Sequence, residues 1–279
     1  MKVIKNENII ISNPETKDFL ADAYYPVTDK KLPLVIFVHG YKGYKDWGAW
    51  DLMAEKFAEA GFFFVKFNFS HNGTTIENPH GFDNLEAFGN NNYSKELSDL
   101  DAIVNHFAKD PKVDDQKIVL IGHSRGGGIS IIKTCEDIRI NGLITLASVD
   151  NLERFPKGEA FENWKNEGVY YVENGRTKQQ MPHFYQFYED FANDPHRFDV
   201  ERSMEMAKAH VLIVHGTSDE GVSVKDAEHL HVLNPNSELY LIESANHTFG
   251  AKEPWENNVL PKGLNEVVEK SIEFIKQNI

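Results

Sequence analysis

Residues 118–128 read Ile118-Val119-Leu120-Ile121-Gly122-His123-Ser124-Arg125-Gly126-Gly127-Gly128. The four apolar residues at the start predict a strand buried on both faces, and isoleucines at 129, 131 and 132 predict a helix directly after the glycines. Residues 122–126 have the form G-x-S-x-G, a turn that lifts its serine above the sheet edge. The stretch therefore predicts a strand, a sharp turn carrying Ser124, and a helix. The alternative is a glycine-rich turn with an incidental serine.

The same alternation of strand and helix extends outward in both directions. Buried strands are predicted at 34–38, 62–67, 143–147, 211–214 and 239–242. Helices are predicted at 50–60, 93–108, 125–136, 223–233 and 264–277. Two further strands are expected near 3–11 and 18–25, and a long polar loop over 70–92. This pattern is typical of an α/β fold with a mostly parallel central sheet flanked by helices.

The alternation is interrupted between residues 150 and 207, where no buried strand is evident. We interpret residues 1–149 and 208–279 as one core and residues 150–207 as an inserted cap of helices plus a hairpin. Asn174-Gly175 predicts the hairpin turn, and helical spacing returns near 184–191. Eleven aromatic residues lie between 150 and 200, and most are expected to pack the cap itself. Trp164 is assigned to a substrate pocket.

A serine hydroxyl needs a general base, and the base needs an orienting carboxylate. His247 follows the last predicted strand, at the sheet edge where Ser124 is expected, so it is the predicted base. Asp219 follows the strand 211–214 and is the predicted acid, with Asp150 as its rival. Of the other histidines, His215 is expected to be structural. His229 and His231 are expected to be solvated on a helix, and Glu220 to be a solvated loop charge.

The order Ser124, Asp219, His247 resembles that of the α/β-hydrolase superfamily over about residues 18–279. The resemblance is carried by His39-Gly40, by residues 67–73 and 122–127, and by the two loops with Asp219 and His247. Within the superfamily the chain looks most like capped serine esterases of the dienelactone-hydrolase-like and feruloyl (cinnamoyl) esterase type. It holds Ser124 where true dienelactone hydrolases carry cysteine, and Ser70-His71-Asn72 where feruloyl esterases tend to have Gly-His-Gly.

Backbone N–H groups must stabilise the oxyanion of a tetrahedral intermediate. Arg125, the residue after the nucleophile, is predicted to supply one, and the resemblance implies the N–H of Tyr41 as the second. The Arg125 side chain is expected to be ion-paired. His39, Gly40 and His123 are assigned to the substrate pocket, and the alternative for His39-Gly40 is an ordinary strand-end turn.

Charge and composition restrict the partners. The 279 residues include 29 Lys plus Arg and 43 Asp plus Glu, a net charge of −14, which argues against nucleic acid and anionic membranes. No signal peptide or spanning helix is evident, and the lone Cys135 fits a reducing compartment, so the cytoplasm is predicted. No metal or organic cofactor is predicted, since no zinc-site spacing or phosphate-binding loop occurs.

These observations together predict a serine carboxylic-ester hydrolase that acts on a small or medium ester, as a monomer or homodimer. Two alternatives remain open. The same three residues could cleave amides or peptides, or the chain could be a ligand-binding protein on a hydrolase scaffold.

Overall fold

The structure, a computed structural model, describes residues 2–279. Its strands are β1 (Val3–Ile11), β2 (Phe19–Pro26), β3 (Leu32–Val38), β4 (Phe63–Phe67), β5 (Val113–His123), β6 (Ile140–Leu146), β7 (Val169–Glu173), β8 (Gln180–Phe184), β9 (His210–Gly216) and β10 (Glu238–Ile242). Its helices are α1 (Trp50–Glu59), α2 (Leu85–Gly89), α3 (Tyr93–Phe107), α4 (Arg125–Glu136), α5 (Glu159–Glu167), α6 (Gln186–Asn193), α7 (Val200–Met206), α8 (Val224–Leu233) and α9 (Lys262–Asn278).

Eight strands form the central sheet in the order β1-β2-β4-β3-β5-β6-β9-β10. The β2 strand pairs antiparallel with β1 and β4, and every other neighbouring pair in this sheet is parallel. Parallel strands bring their carboxyl ends to one edge, and in such sheets ligands bind in the crevice outside that edge. The loops that follow β3, β5, β9 and β10 therefore converge there.

Both faces of the sheet are covered by helices, which explains the continuously apolar strands. Along β3, Leu34 and Ile36 join the core beneath α3, α4 and α8, whereas Val35 and Phe37 join the core beneath α1 and α9. Alternate side chains of one strand thus enter opposite cores, as expected for a sheet buried on both sides. Among the helices of residues 2–279, none has the length and apolar character that a membrane crossing requires.

The predicted α/β class is confirmed, and the differences lie outside the sheet. The expected polar loop over 70–92 contains the short helix α2, whose N-terminus is capped when Asn84 Oδ1 accepts the Ala87 N–H at 2.9 Å. The hairpin β7–β8 is present, but a six-residue connection replaces the predicted Asn-Gly turn. Asn174 Oδ1 instead accepts the N–H groups of Arg176 and Thr177 at 3.0 and 3.3 Å.

The segment between β6 and β9, residues 150–207, holds α5, the hairpin, α6 and α7. Residues 150–207 are called the insertion from here on. Sequence periodicity missed α5 and α7, which have nine and seven residues. The α5 helix buries only Trp164, so it lacks a repeating apolar stripe. In α7, Val200 and Met204 join the same core as α4.

Candidate active site

Ser124 lies in the turn between β5 and α4, in a backbone conformation that non-glycine residues rarely adopt. Its φ and ψ are 57° and −124°, a strained region that persists only where the surroundings enforce it. Two glycines permit the turn. A Cβ on Gly122 would lie 2.4 Å from the Gly126 carbonyl oxygen, and one on Gly126 would lie 2.4 Å from the Val38 carbonyl oxygen. The backbone packing therefore excludes any other residue at both positions.

A continuous hydrogen-bond chain joins the three residues predicted from the sequence. The Ser124 hydroxyl lies 3.0 Å from His247 Nε2, and His247 Nδ1 lies 2.8 Å from Asp219 Oδ2. The other oxygen of Asp219 accepts the N–H groups of Gly221 and Val222 at 2.7 and 2.9 Å. The carboxylate is thus fixed by its own loop and faces the histidine. This arrangement holds the imidazole with Nε2 free to accept the serine proton.

The electrostatics of Asp219 favour its charged form. Burial acts to raise its pKa, but hydrogen bonds from His215, His247 and the Val222 N–H outweigh burial and hold the pKa well below its usual range. His215 Nε2 lies 3.0 Å from the Val222 carbonyl oxygen and 3.2 Å from Asp219 Oδ2, so it must donate to oxygen. An ionised carboxylate at this position is suited to stabilise an imidazolium at His247.

His123 supports the loop that carries His247. Its Nε2 lies 2.9 Å from the His247 carbonyl oxygen, and since a carbonyl only accepts, this nitrogen carries the proton. Burial, together with the nearby His247, lowers the pKa of His123 to about 3. His123 is therefore a neutral donor that holds the backbone of the base.

His39, the residue directly after β3, holds the loop that follows this strand by hydrogen bonds to two backbone groups. Its Nδ1 donates to the Gly40 carbonyl oxygen at 2.9 Å, and its Nε2 accepts the Phe69 N–H at 3.2 Å. Burial lowers the pKa of His39 to about 4, consistent with a neutral ring. Gly40 also packs closely here, because a Cβ on it would lie 2.9 Å from the Ser124 Cβ.

Two backbone N–H groups beside Ser124 have no acceptor. Among the hydrogen bonds of residues 2–279, neither the Tyr41 N–H nor the Arg125 N–H donates. Arg125 is the first residue of α4, where backbone donors lack intrahelical partners. Both predicted oxyanion donors are thus unpaired beside the serine turn. The Arg125 side chain contacts Glu96 as an ion pair, with Nη2 3.2 Å from Oε1.

Cavities open on two sides of Ser124 and His247. The larger, of about 430 Å³, extends toward the insertion, whose Tyr170, His183 and Phe187 line it. The smaller, of about 160 Å³, is lined by His39, Gly40, Tyr41, Lys42, Gly43, Trp47, Trp50, His123 and Thr248. The site can therefore accommodate groups of unequal size on either side of the serine.

The assignment of Trp164 to the substrate pocket was wrong. Its side chain is 1% exposed, and its Nε1 donates to the His183 carbonyl oxygen at 2.8 Å. The bulky indole packs inside the insertion, and the neighbouring strands supply the cavity wall instead. Sequence reasoning missed His183, although the alternation of β8 places it on the same side as the buried Met181.

The rival acid is engaged elsewhere. Asp150 Oδ2 lies 3.0 Å from His229 Nδ1, a pairing on the surface of α8, whereas Asp219 is the carboxylate that contacts His247. His231 Nδ1 lies 2.8 Å from the Ser237 hydroxyl. Both α8 histidines were predicted to be solvated, and both are partly exposed but also have a side-chain partner.

One group of carboxylates in residues 2–279 has the spacing of a metal site, comprising Asp22, Asp46 and Asp51. Two buried lysines already pair with these three carboxylates. Lys66 Nζ lies 2.6 Å from Asp22 and 2.7 Å from Asp51, and Lys45 Nζ lies 2.7 Å from Asp22 and 2.6 Å from Asp46. The two ammonium groups occupy the position that a metal ion would need. The cluster is therefore a network of ion pairs and not a metal site.

Comparisons with known proteins agree with this architecture. A solved structure of Est1E from Butyrivibrio proteoclasticus with bound ferulic acid matches with a TM-score of 0.74 and 21% identity, covering 97% of this chain and 98% of that one. A putative hydrolase from Agrobacterium vitis matches with a TM-score of 0.71 and 17% identity, covering 99% and 100%. A putative dienelactone hydrolase from Klebsiella pneumoniae matches at 0.65 and 14%, covering 99% and 100%.

No curated protein sequence matches this chain significantly. At these identities the solved structures establish the fold alone. The model of the alpha/beta hydrolase fold family matches residues 33–177, more than half of the chain. That match includes the strand and turn around Ser124, and the parallel sheet places Asp219 and His247 at the same edge. The chain therefore belongs to the α/β-hydrolase fold family.

Proposed function

We propose that the protein is a serine hydrolase that cleaves small to medium carboxylic esters through an acyl-enzyme on Ser124. The observation that carries the proposal is the hydrogen-bond chain from Asp219 through His247 to Ser124, with distances of 2.8 and 3.0 Å. A nucleophile, a base within reach and an orienting carboxylate are the components that acyl transfer requires.

In the acylation step, the Ser124 oxygen attacks the ester carbonyl carbon while His247 Nε2 accepts the hydroxyl proton. The carbonyl oxygen becomes an oxyanion, for which the N–H groups of Tyr41 and Arg125 are the proposed donors. The intermediate collapses when the alkoxide leaves and takes the proton from His247. The alcohol is released and the acyl group remains on Ser124.

Deacylation repeats these roles with water. His247 removes a proton from water as it attacks the acyl carbon, and the second tetrahedral intermediate collapses to the free acid. Ser124 then recovers its proton from His247. Throughout, the ionised Asp219 orients the ring and stabilises the imidazolium. We further propose that residues 150–207 form a cap over the site, since Tyr170, His183 and Phe187 line the larger cavity.

The test uses ester substrates of varied acyl and alcohol size together with Ser124→Ala. We expect the wild-type protein to hydrolyse activated short-acyl esters and Ser124→Ala to lose nearly all of this activity. A serine-directed phosphonate should label the peptide that contains Ser124 in the wild type only. Failure of both turnover and labelling would refute the proposal.

The products separate the two alternatives. Acid and alcohol released from esters support an esterase, whereas faster cleavage of matched anilides or peptides would support an amidase. Saturable binding without turnover would support a ligand-binding protein. The monomer or homodimer state and the cytoplasmic location stay predictions, which size-exclusion chromatography and cell fractionation can test.

A further inference from the structure

The guanidinium of Arg125 has far more donors than partners. It carries five N–H donors, and its polar contact among residues 2–279 is the ion pair with Glu96, at 3.2 Å. The side chain is 16% exposed and lines the larger cavity beside Ser124. Its Cζ lies over the rings of Tyr41 and Phe187, 4.8 and 5.9 Å from their centroids. Aromatic packing thus fixes the group while most of its donors stay unused.

The partner carboxyl, Glu96, lies outside the cavity. It is buried and does not line the larger cavity, whereas Arg125 does. Burial raises the pKa of Glu96, while Arg125 and a hydrogen bond from Asn91 act to lower it. Asn91 Nδ2 donates to Glu96 Oε1 at 2.7 Å, so the oxygen near Arg125 is shared between two donors. Oε2 of Glu96 has no partner in the part of the chain that the structure describes.

The larger cavity is lined by arginines and not by carboxylates, in a protein of net charge −14. The arginines are Arg125 and Arg154, and no Asp or Glu is among the lining residues in the range 2–279. Arg154 is paired at the surface with Asp226 at 2.7 Å and is 43% exposed. The charges that line the cavity and the unused donors of Arg125 both point to an anionic ligand.

We propose that Arg125 binds a carboxylate carried by the substrate, so that the preferred esters are anionic. This inference rests on the proposed esterase function and specifies the substrate class of the same site. A guanidinium binds a carboxylate through two parallel N–H donors, which makes the interaction both strong and directional. The cavity of about 430 Å³ has room for a short acid chain beside the reacting ester.

The test compares carboxylates with carboxamides of the same shape. Monoethyl succinate, glutarate and adipate place the carboxylate on the acyl side, and 4-acetoxybutanoate places it on the alcohol side. Each of these esters is assayed beside its neutral analogue, in which a carboxamide replaces the carboxylate. We expect the wild-type kcat/KM to favour at least one carboxylate roughly 10- to 100-fold, the range for a hydrogen-bonded charge.

Arg125→Met removes the charge and keeps a long apolar stem. In this variant the ratio of kcat/KM for the carboxylate ester to kcat/KM for its carboxamide analogue should fall to about one or below, mainly through a change in KM. Turnover of the carboxamide analogues shows separately whether the catalytic residues still work. The double variant Arg125→Met with Glu96→Gln guards against misfolding caused by an unpaired buried carboxyl. Arg197→Met is the matched control, because Arg197 pairs with Glu136 at the surface and does not line the cavity.

The outcomes distinguish this inference from the proposed function. If the wild type cleaves neither member of any pair, the result refutes the esterase proposal itself. If it cleaves the amide esters but shows no preference for carboxylates, the function stands and the anionic-substrate inference is overturned. An undiminished preference in Arg125→Met would also overturn it. Should both variants fail to fold, glutarate must inhibit wild-type hydrolysis of a neutral ester more strongly than glutaramide, and equal inhibition would overturn the inference.

Discussion

Mild acid should destabilise this protein before most carboxylates titrate. Burial lowers the pKa of His39, His71 and His183 to about 4, and of His123 to about 3. In the unfolded chain each has a pKa of about 6.5. At pH 5 the unfolded chain therefore binds protons that the folded chain does not. Stability is present above pH 6.5 and is lost as the pH falls below it.

Three carboxyl groups act in the opposite direction. Burial raises the pKa of Asp99 to about 6 and also raises the pKa of Glu96 and of Asp226. Each takes up a proton in the folded chain while it is still ionised in the unfolded chain. The four histidines outnumber them, so unfolding near pH 5 takes up a net of about one to three protons. The free energy of unfolding should therefore fall by about 1.4–4 kcal/mol per pH unit.

Between pH 6.5 and 5 the expected loss is about 1–5 kcal/mol, a large part of the roughly 5–15 kcal/mol typical of a folded domain. Urea unfolding followed by far-UV circular dichroism at pH 7, 6 and 5 measures it without interference from tryptophan quenching. His183→Gln removes one of the four histidines and should make the pH dependence shallower by up to about 1.4 kcal/mol per unit. An unfolding free energy that is constant from pH 7 to 5 would refute the reasoning.

Three substitutions test the geometry of the site. Asp219→Asn should lower kcat on the order of 10⁴-fold, because the amide no longer holds the productive tautomer of His247. Gly40→Ala places a methyl group 2.9 Å from the Ser124 Cβ, and kcat/KM should fall about 100-fold with a protein that still folds by circular dichroism. His123→Phe removes the hydrogen bond to the His247 carbonyl, so kcat should fall about tenfold while the free energy of unfolding drops by about 1 kcal/mol.

The sheet and the three catalytic candidates could be predicted from sequence because their signals are local. Continuous apolar runs mark strands buried on both faces, and Gly122 and Gly126 mark the turn at Ser124. Placement of Asp219 and His247 then follows from one topological fact, that parallel strands end at a common edge. None of these inferences needs side-chain packing between distant segments.

The cavity wall could not be predicted in the same way. Tyr170 and Trp164 are both aromatic residues of the insertion, and only their packing decides which one lines the cavity. Trp164 ends up inside because its indole N–H finds a buried carbonyl, that of His183. Tyr170 stacks on the ring of His183, with centroids 4.6 Å apart. Such pairings depend on the strand register and leave no pattern in the sequence.

Four histidines lie near the serine turn, and their hydrogen bonds explain why one of them can act as its base. His123 and His215 commit Nε2 as a donor to backbone carbonyls, and His39 uses Nε2 to accept a backbone N–H. In His247 the carboxylate of the acid holds Nδ1, so Nε2 remains an acceptor and lies 3.0 Å from the Ser124 hydroxyl. The three rings that are committed to backbone groups therefore build the scaffold, and the ring that a carboxylate orients is the one in position for the proposed proton transfer.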